Sequence, residues 1–164
     1  MSFKEKCLEK LRYDAETGLL TWVSNGTRGV KSGDVAGYKM KDGYILLSVA
    51  GKRVLAHRVA WLFAYGDFPE GNLDHINRDR ADNRICNLRN ATPAQNAQNR
   101  AKNRLNTSGY KGVTWHKRDK KWQAGLTLNG KTVHLGLYDT AEAAYEAYKA
   151  GSKKHQTHSI FKGE

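Results

Sequence analysis

Asp74 and His75 stand side by side, Asn87 follows twelve positions later, and Asn96 comes nine beyond that, just inside a segment opened by Thr92-Pro93. A carboxylate, an imidazole and two amides at such separations are equipped for hydrolysis. Asp74 and the amide oxygen of Asn96 are hard oxygen donors, suited to an ion such as Mg²⁺ or Mn²⁺. His75, titrating near neutrality, can take the proton of an attacking water. Hydrolysing a phosphodiester needs that water, neutralised phosphate charge and a stabilised departing oxygen, and a divalent ion can supply the last two. Asp74 and His75 adjoin on one strand, so regular pleating turns them to opposite faces. A bulge or a strand end is needed to bring both toward one phosphate.

The rest of the chain supplies a reason to expect nucleic acid. It carries 28 Lys+Arg against 16 Asp+Glu, a formal net charge of +12. An excess of that size makes a polyanion the expected partner, through long-range attraction and counterion release. At 164 residues, 39% of them hydrophobic, the chain can hold one ordinary domain or two small ones. No apolar run approaches the ~18–20 residues that span a bilayer, so a membrane partner is not expected. Met1 to Lys6 lacks the apolar stretch of a signal peptide. Cys7 and Cys86 are the only cysteines, which argues against a disulfide framework or a Cys-rich zinc site and fits a reducing cytoplasm.

The elements that must position these residues follow from local pattern. Ser2 to Arg12 patterns as a helix through Phe3, Cys7, Leu8 and Leu11. A turn at Glu16-Thr17-Gly18 precedes a short strand, Leu19 to Trp22. Residues 24–36, with Arg28 and Lys31, read either as a solvated loop or as a basic arm on backbone phosphates. Hairpin signals at Lys41-Asp42-Gly43 and Ala50-Gly51 flank the β-rich run Tyr44 to Val49. His57 to Tyr65 has helical spacing, with Val59, Leu62 and Phe63 on its apolar face and Trp61 alongside. Leu73 to Ile76 reads as a strand, Asn77 to Arg84 as a charged loop, and Ile85 to Arg89 as the partner strand. Thr92, Pro93 and Gln95 form a helix start with a capping box. That helix carries Asn96 in its first turn, with Asn99 and Arg100 three and four positions on.

Residues 98–122 then hold eight Lys or Arg, at 100, 102, 104, 111, 117, 118, 120 and 121, against one acid, Asp119. Lys102 to Gly109 reads as a linker. Beyond it come three strands, Tyr110 to His116, Trp122 to Leu128 and Lys131 to Tyr138, the last two joined by the hairpin pair Asn129-Gly130. Asp139 and Glu142 suggest a capping box for a helix to about Lys154. Strand alternation puts Val113, Trp115, Trp122, Ala124, Leu126, Val133, Leu135 and Leu137 toward that helix. The opposite face presents Thr114, His116, Gln123, Thr127, Thr132 and His134, rimmed by Lys111, Lys117, Arg118, Lys120, Lys121 and Lys131. Such a sheet can lie in a major groove. Trp115 and Trp122 read as core, or else as base or sugar contacts.

The Asp74-His75, Asn87, Asn96 spacing resembles the HNH nuclease family, whose ββα-metal motif would cover residues 73 to about 100. The resemblance implies Asp74 as metal ligand, His75 as general base, Asn87 as organiser of the loop and Asn96 as second ligand. Asp and Asn at the ligand positions are similar to the phage-type homing endonucleases and imply one Mg²⁺ or Mn²⁺ rather than Zn²⁺. That subfamily also places a His-Arg pair on the preceding helix. His57-Arg58 match it, with a packing role or a contact behind the site or to phosphate. The strings Ser108-Gly109-Tyr110-Lys111-Gly112-Val113, Lys121-Trp122-Gln123-Ala124, His134-Leu135-Gly136-Leu137-Tyr138 and Glu142 to Tyr148 resemble the plant APETALA2 or ethylene-response-factor DNA-binding domain. Thr and His stand where the plant proteins are rich in Arg and Trp, which implies more backbone contact and less base reading.

The expected architecture is α+β: a β-rich scaffold at 1–50, an HNH core at 51–101, a basic linker at 102–109, and a three-stranded sheet on one helix at 110–164. The expected function is a site-specific DNA endonuclease acting on double-stranded DNA as a monomer, in the cytoplasm of a bacterial host, with no small-molecule substrate. A non-catalytic DNA-binding regulator with a degenerate HNH domain is the alternative. An RNA-binding module is disfavoured, because the aromatics pattern inward rather than forming a stacking platform.

Overall fold

The computed structural model describes residues 1–26, 29–103 and 105–157. Arg28 of the predicted basic arm and Arg104 of the basic stretch lie outside the described residues. The chain divides into two compact units, Met1–Ala91 and Thr92–Glu164. The helix that carries Asn96 therefore falls within the second.

In the first unit, α1 (Phe3–Lys10) starts at a reciprocal cap: the Ser2 hydroxyl accepts from Glu5 N at 3.2 Å, and the Glu5 carboxylate accepts from Ser2 N at 2.6 Å. The helix ends two residues earlier than its apolar pattern predicts. Leu11 instead opens a strand, β1 (Leu11–Tyr13), paired antiparallel with β2 (Leu20–Trp22). Two tight turns then link β3 (Tyr38–Lys39), β4 (Ile45–Val49) and β5 (Lys52–Leu55) into an antiparallel sheet in chain order. The second turn uses Ala50 at φ +48° and Gly51 at φ +80°, the pair of left-handed residues that a two-residue hairpin demands. α2 (Ala56–Tyr65) leaves β5 directly and stops at Gly66, whose N–H returns to Leu62 O. Val59 and Leu62 of α2 pack with Cys7, Leu11, Leu47 and Val49 into the core. Each such aliphatic burial contributes about 1.5–3 kcal/mol.

β6 (Asn72–His75) and β7 (Leu88–Ala91) form a separate antiparallel pair with an unbroken register from Asn72↔Ala91 to His75↔Leu88. The predicted strand over Ile85 to Arg89 begins later than expected, because Ile85–Asn87 is a 3₁₀ turn. Asn87 N closes that turn on Arg84 O at 2.9 Å, which aims the Asn87 side chain back at the loop.

In the second unit, Thr92 and Gln95 cap α3 (Pro93–Asn99) as their types predict. β8 (Val113–His116), β9 (Lys121–Leu128) and β10 (Lys131–Tyr138) form an antiparallel sheet in the order β10-β9-β8. α4 (Ala141–His155) packs on it, burying Ala144 and Tyr148 together with Val113 and Ala124. Its cap is Thr140, whose hydroxyl accepts from Ala143 N, and not Asp139; Asp139 pairs instead with Lys121 at 3.1 Å. Gly112, at φ +74°, lies so close to the Tyr148 ring that no side chain fits there.

The segment expected as a linker carries local bonds: Lys102 Nζ donates to Gly109 O at 2.8 Å, and Asn106 Nδ2 to Tyr110 O at 2.8 Å. One correction concerns this unit: the expected apolar face is interrupted. A bulge between His134 and Gly136 reverses the alternation of β10, so Leu137 pairs with Gln123 on the outer face. Leu137 is accordingly 40% exposed; Trp115 and Val133, on the two edge strands, are 45% and 37% exposed.

Candidate active site

His75 is the last residue of β6, and the chain turns immediately, with Arg78 N donating to His75 O at 2.9 Å. The ladder stays regular through His75, so the two side chains leave the strand on opposite sides. Asp74 points across the ladder to its register partner Arg89, whose Nε and Nη2 donate to Asp74 Oδ2 at 2.9 and 2.7 Å. His75 is buried on the other side, with Nε2 3.3 Å from Asn83 Oδ1. Asn83 Nδ2 donates to Ala81 O at 3.2 Å, which orients the amide with its oxygen toward the imidazole.

The loop between β6 and β7 is held from its centre by Asn87. Asn77 N donates to Asn87 Oδ1 at 2.9 Å, and Asn87 Nδ2 donates to Asp82 O at 2.8 Å. Asp82 in turn takes a forked contact from Arg84 Nε and Nη2 at 2.8 and 2.7 Å. That guanidinium holds the Asp82 carboxyl down at about 2. Asn87 and Asp82 thus hold the loop from within, while residues 76–80 stay exposed.

Residues 1–50 show no chemistry in the sequence, yet three of them brace this loop. Tyr13 OH donates to Asn83 O at 2.9 Å. Gly18, at φ +74°, touches the Asn83–Arg84 backbone, where a Cβ would lie 2.5 Å from Arg84 N. Tyr44 sets its ring 5.8 Å from that of His75 and 5.3 Å from that of His57. Sequence reasoning missed Tyr13, Tyr44 and Arg89, and it read Asn83 as a residue that turns the loop without its contact to His75. Only Asn83 and Arg89 carried a local hint, being polar residues inside the motif.

His57 sits behind His75 with its ring edge-on at 5.2 Å. Burial, then the neighbouring His75, then Arg58 push its pKa down to about 3, so it stays neutral at any physiological pH. Burial also lowers His75, against the opposing pull of Asn83 and Asp74. A neutral imidazole is the form a general base requires. Arg58 does not reach forward: its guanidinium donates to Pro69 O at 2.8 Å and Gly71 O at 3.2 Å, fastening the turn after α2.

In the second unit, Asn96 is half-buried in the first turn of α3, with its N–H on Thr92 O at 2.9 Å. Asn99 is buried at the helix end. Arg100 lies beyond it at φ −59°, ψ 144°, so it leaves the helical path and does not continue the Asn96 face. Among the described residues no three His, Cys, Asp or Glu side chains gather as a metal cluster. Asp74 and Asn96 each carry an oxygen donor of the kind that divalent ions take.

The outer face of the β8–β10 sheet brings Thr114, Gln123 and Leu137 into one row across the three strands. Gln123 Nε2 also meets His134 Nδ1. Thr127 and Thr132 face each other farther along. Lys117, Lys120 and Lys131 are exposed at the rim. Other predicted contacts are engaged within the protein: Arg118 and His116 with Asp119 at 2.9 and 3.3 Å, and Lys121 with Asp139. Lys111 Nζ donates to Gln98 O at 2.6 Å and to Arg100 O, so it secures the end of α3.

Residues 54–98 match the model of an HNH endonuclease domain, and residues 108–156 match that of an AP2 domain. The chain belongs to the HNH endonuclease family and carries an AP2 domain behind its HNH domain. Protein 3.8 of Escherichia phage T7 is 31% identical over 107 residues, 65% of this chain and 88% of that protein. An uncharacterized HNH endonuclease of Acanthamoeba polyphaga mimivirus is 30% identical over 112 residues, 68% of this chain but 57% of that protein. An AP2-like ethylene-responsive transcription factor of Arabidopsis thaliana is 41% identical over 51 residues, 31% of this chain and only 10% of the plant protein. No solved structure matches. Both domains indicate DNA binding, and the first a nuclease of a family that generally uses a divalent metal.

Proposed function

We propose that this protein is a homing-type, site-specific DNA endonuclease that hydrolyses phosphodiester bonds in one or both strands, with His75 as general base and one Mg²⁺ or Mn²⁺ ion. The observation that carries this reading is a buried, neutral His75 held by Asn83 beside a carboxylate on the same strand end. With Nε2–H donating to Asn83 Oδ1, Nδ1 is the basic nitrogen. It takes the proton of a water whose oxygen attacks phosphorus as the bond to the 3′ oxygen breaks, which would leave 5′-phosphate and 3′-hydroxyl ends. Asp74 and Asn96 would hold the ion. When bound it neutralises phosphate charge and stabilises the departing oxygen. Arg89 fixes the Asp74 carboxylate for that task by donating from Nε and Nη2 to Oδ2.

The AP2 sheet would hold duplex DNA and raise the local concentration of the nuclease at its site. One nuclease motif and one tethered reader suffice for an asymmetric target, which favours a monomer.

The test is nicking of supercoiled plasmid DNA at low ionic strength, where sequence-independent binding suffices. Asp74→Ala and His75→Ala should each slow nicking by at least about a hundredfold. If both variants nicked like the wild type, the site assignment would fall. A wild type that bound DNA but never nicked it would favour a non-catalytic regulator.

A further inference from the structure

We infer that Arg78 is the arginine that grips the scissile phosphate, an assignment that rests on the nuclease reading of Asp74 and His75. Four arginines lie in or beside the loop between β6 and β7: Arg78, Arg80, Arg84 and Arg89. Three are committed within the protein. Arg84 forks onto Asp82, and Arg89 onto Asp74. Arg80 lies over the Tyr44 ring, 4.7 Å from its centroid, and donates to Asp42 O at 2.9 Å. Arg78 is exposed, and its guanidinium has no partner among the described residues.

Its backbone makes that idleness informative. Arg78 has φ +67°, the left-handed region that a side chain pays for and glycine does not. Strained residues of this kind cluster at functional sites. Here the strain is not offset by any contact the side chain makes inside the protein. It does place the guanidinium one tight turn from the general base, since Arg78 N bonds His75 O at 2.9 Å. The ends of such a turn lie within about 7 Å, well inside the reach of an arginine. A guanidinium matches two phosphoryl oxygens with two parallel hydrogen bonds. Charge on those oxygens grows as water adds to phosphorus, so the grip tightens toward the transition state.

The experiment compares wild type, Arg78→Gly, Arg78→Asn, Arg78→Lys and His75→Ala in nicking of supercoiled plasmid with Mn²⁺, alongside thermal unfolding and plasmid binding. Glycine and asparagine both tolerate a positive φ, so these two variants should melt at or above the wild-type temperature. They should bind DNA within about threefold, because one phosphate contact among many is lost. Their kcat should fall about a hundredfold, with KM little changed. Lysine restores charge without the fork and should recover only part of the rate. Arg78→Gly that is more stable and nicks at the wild-type rate, while His75→Ala is dead, would overturn the assignment and leave the nuclease reading standing. Glycine and asparagine variants that melt well below the wild type would also overturn it, since the residue would then be structural. If His75→Ala nicked normally, the nuclease reading would fail and the role of Arg78 with it.

Discussion

Asn83→Ala tests how the base is tuned without touching the base itself. The substitution removes the oxygen that Nε2 of His75 faces at 3.3 Å. Both side chains are buried, at 3% and 4% exposure, so water does not replace that oxygen for free. Losing one partner of a buried neutral hydrogen bond costs about 1–3 kcal/mol. The loss bears on one tautomer only, the one with hydrogen on Nε2 and a basic Nδ1. Each 1.36 kcal/mol taken from that tautomer's advantage shifts the ratio of the two tautomers about tenfold toward the form whose Nδ1 carries the proton and cannot act as base. The 3.3 Å separation is long for a strong bond, which places the expected fall in kcat near the lower end of about 10–100-fold. KM for DNA should hold, because Asn83 faces the imidazole and not the duplex.

Asn83→Asp separates this tuning from simple damage. A carboxylate beside His75 favours the imidazolium and raises its pKa by about one unit or more. In the wild type burial sets that pKa below the ordinary value, so the midpoint of the rise in rate should lie below pH 6.5. A base works only when deprotonated, so the rise of kcat/KM with pH should move upward in Asn83→Asp. Stopped-time nicking from pH 5 to 9 reads both variants. Wild-type kcat in Asn83→Ala together with an unmoved profile in Asn83→Asp would refute the claim that Asn83 sets the tautomer.

Two further predictions follow from groups whose surroundings are equally defined. His57 has a folded pKa of about 3 against 6.5 when unfolded, so its neutral form stabilises the protein fully above pH 6.5 and loses that contribution as pH falls toward 3. Urea unfolding should show a slope of at most about 1.4 kcal/mol per pH unit from this group across that window, flattened in His57→Phe; a wild-type-to-variant difference that ignored pH would refute it. On the outer sheet face, Gln123 can bond an adenine edge in the manner of Asn and Gln, so Gln123→Ala should relax selection at one base pair by about 1–3 kcal/mol. Binding-site selection with both proteins decides the point, and an identical selected motif would remove Gln123 from base reading.

What was legible in the sequence was local. Thr92-Gln95 announces its helix start because a cap needs only residues three apart, and the cap forms. The hairpin turns were legible for the same reason. Failures also came from local rules applied alone. Apolar spacing carried α1 through Leu11 and Arg12, but burial of Leu11 beside β2 makes that stretch a strand. Strict alternation put Leu137 in the core, and one bulged residue moved it beside Gln123. Asp139 looked like a cap, yet Thr140 stands one residue nearer the helix and offers its hydroxyl to Ala143 N.

The candidate site divides along the same line. Its chemical residues were legible, because the spacing of Asp74, His75 and Asn87 reflects a short loop closed by Asn87 itself. The residues that determine how His75 behaves were not. Tyr13 reaches Asn83 from 70 positions away, and the Tyr44 ring arrives on a hairpin from the β3–β5 sheet. Neither contact leaves a period or motif, since a long-range contact constrains size and shape at each end but not the interval between. Burial drives His57 and His75 toward their neutral forms, and the Tyr44 ring lies 5.3 and 5.8 Å from theirs. The bare pattern therefore names a base, while its tautomer comes from Asn83 inside the motif and its neutrality from burial to which Tyr44, outside it, contributes. Substitutions at Tyr13 or Tyr44 should consequently act on the chemistry of His75 without altering any residue that the motif contains.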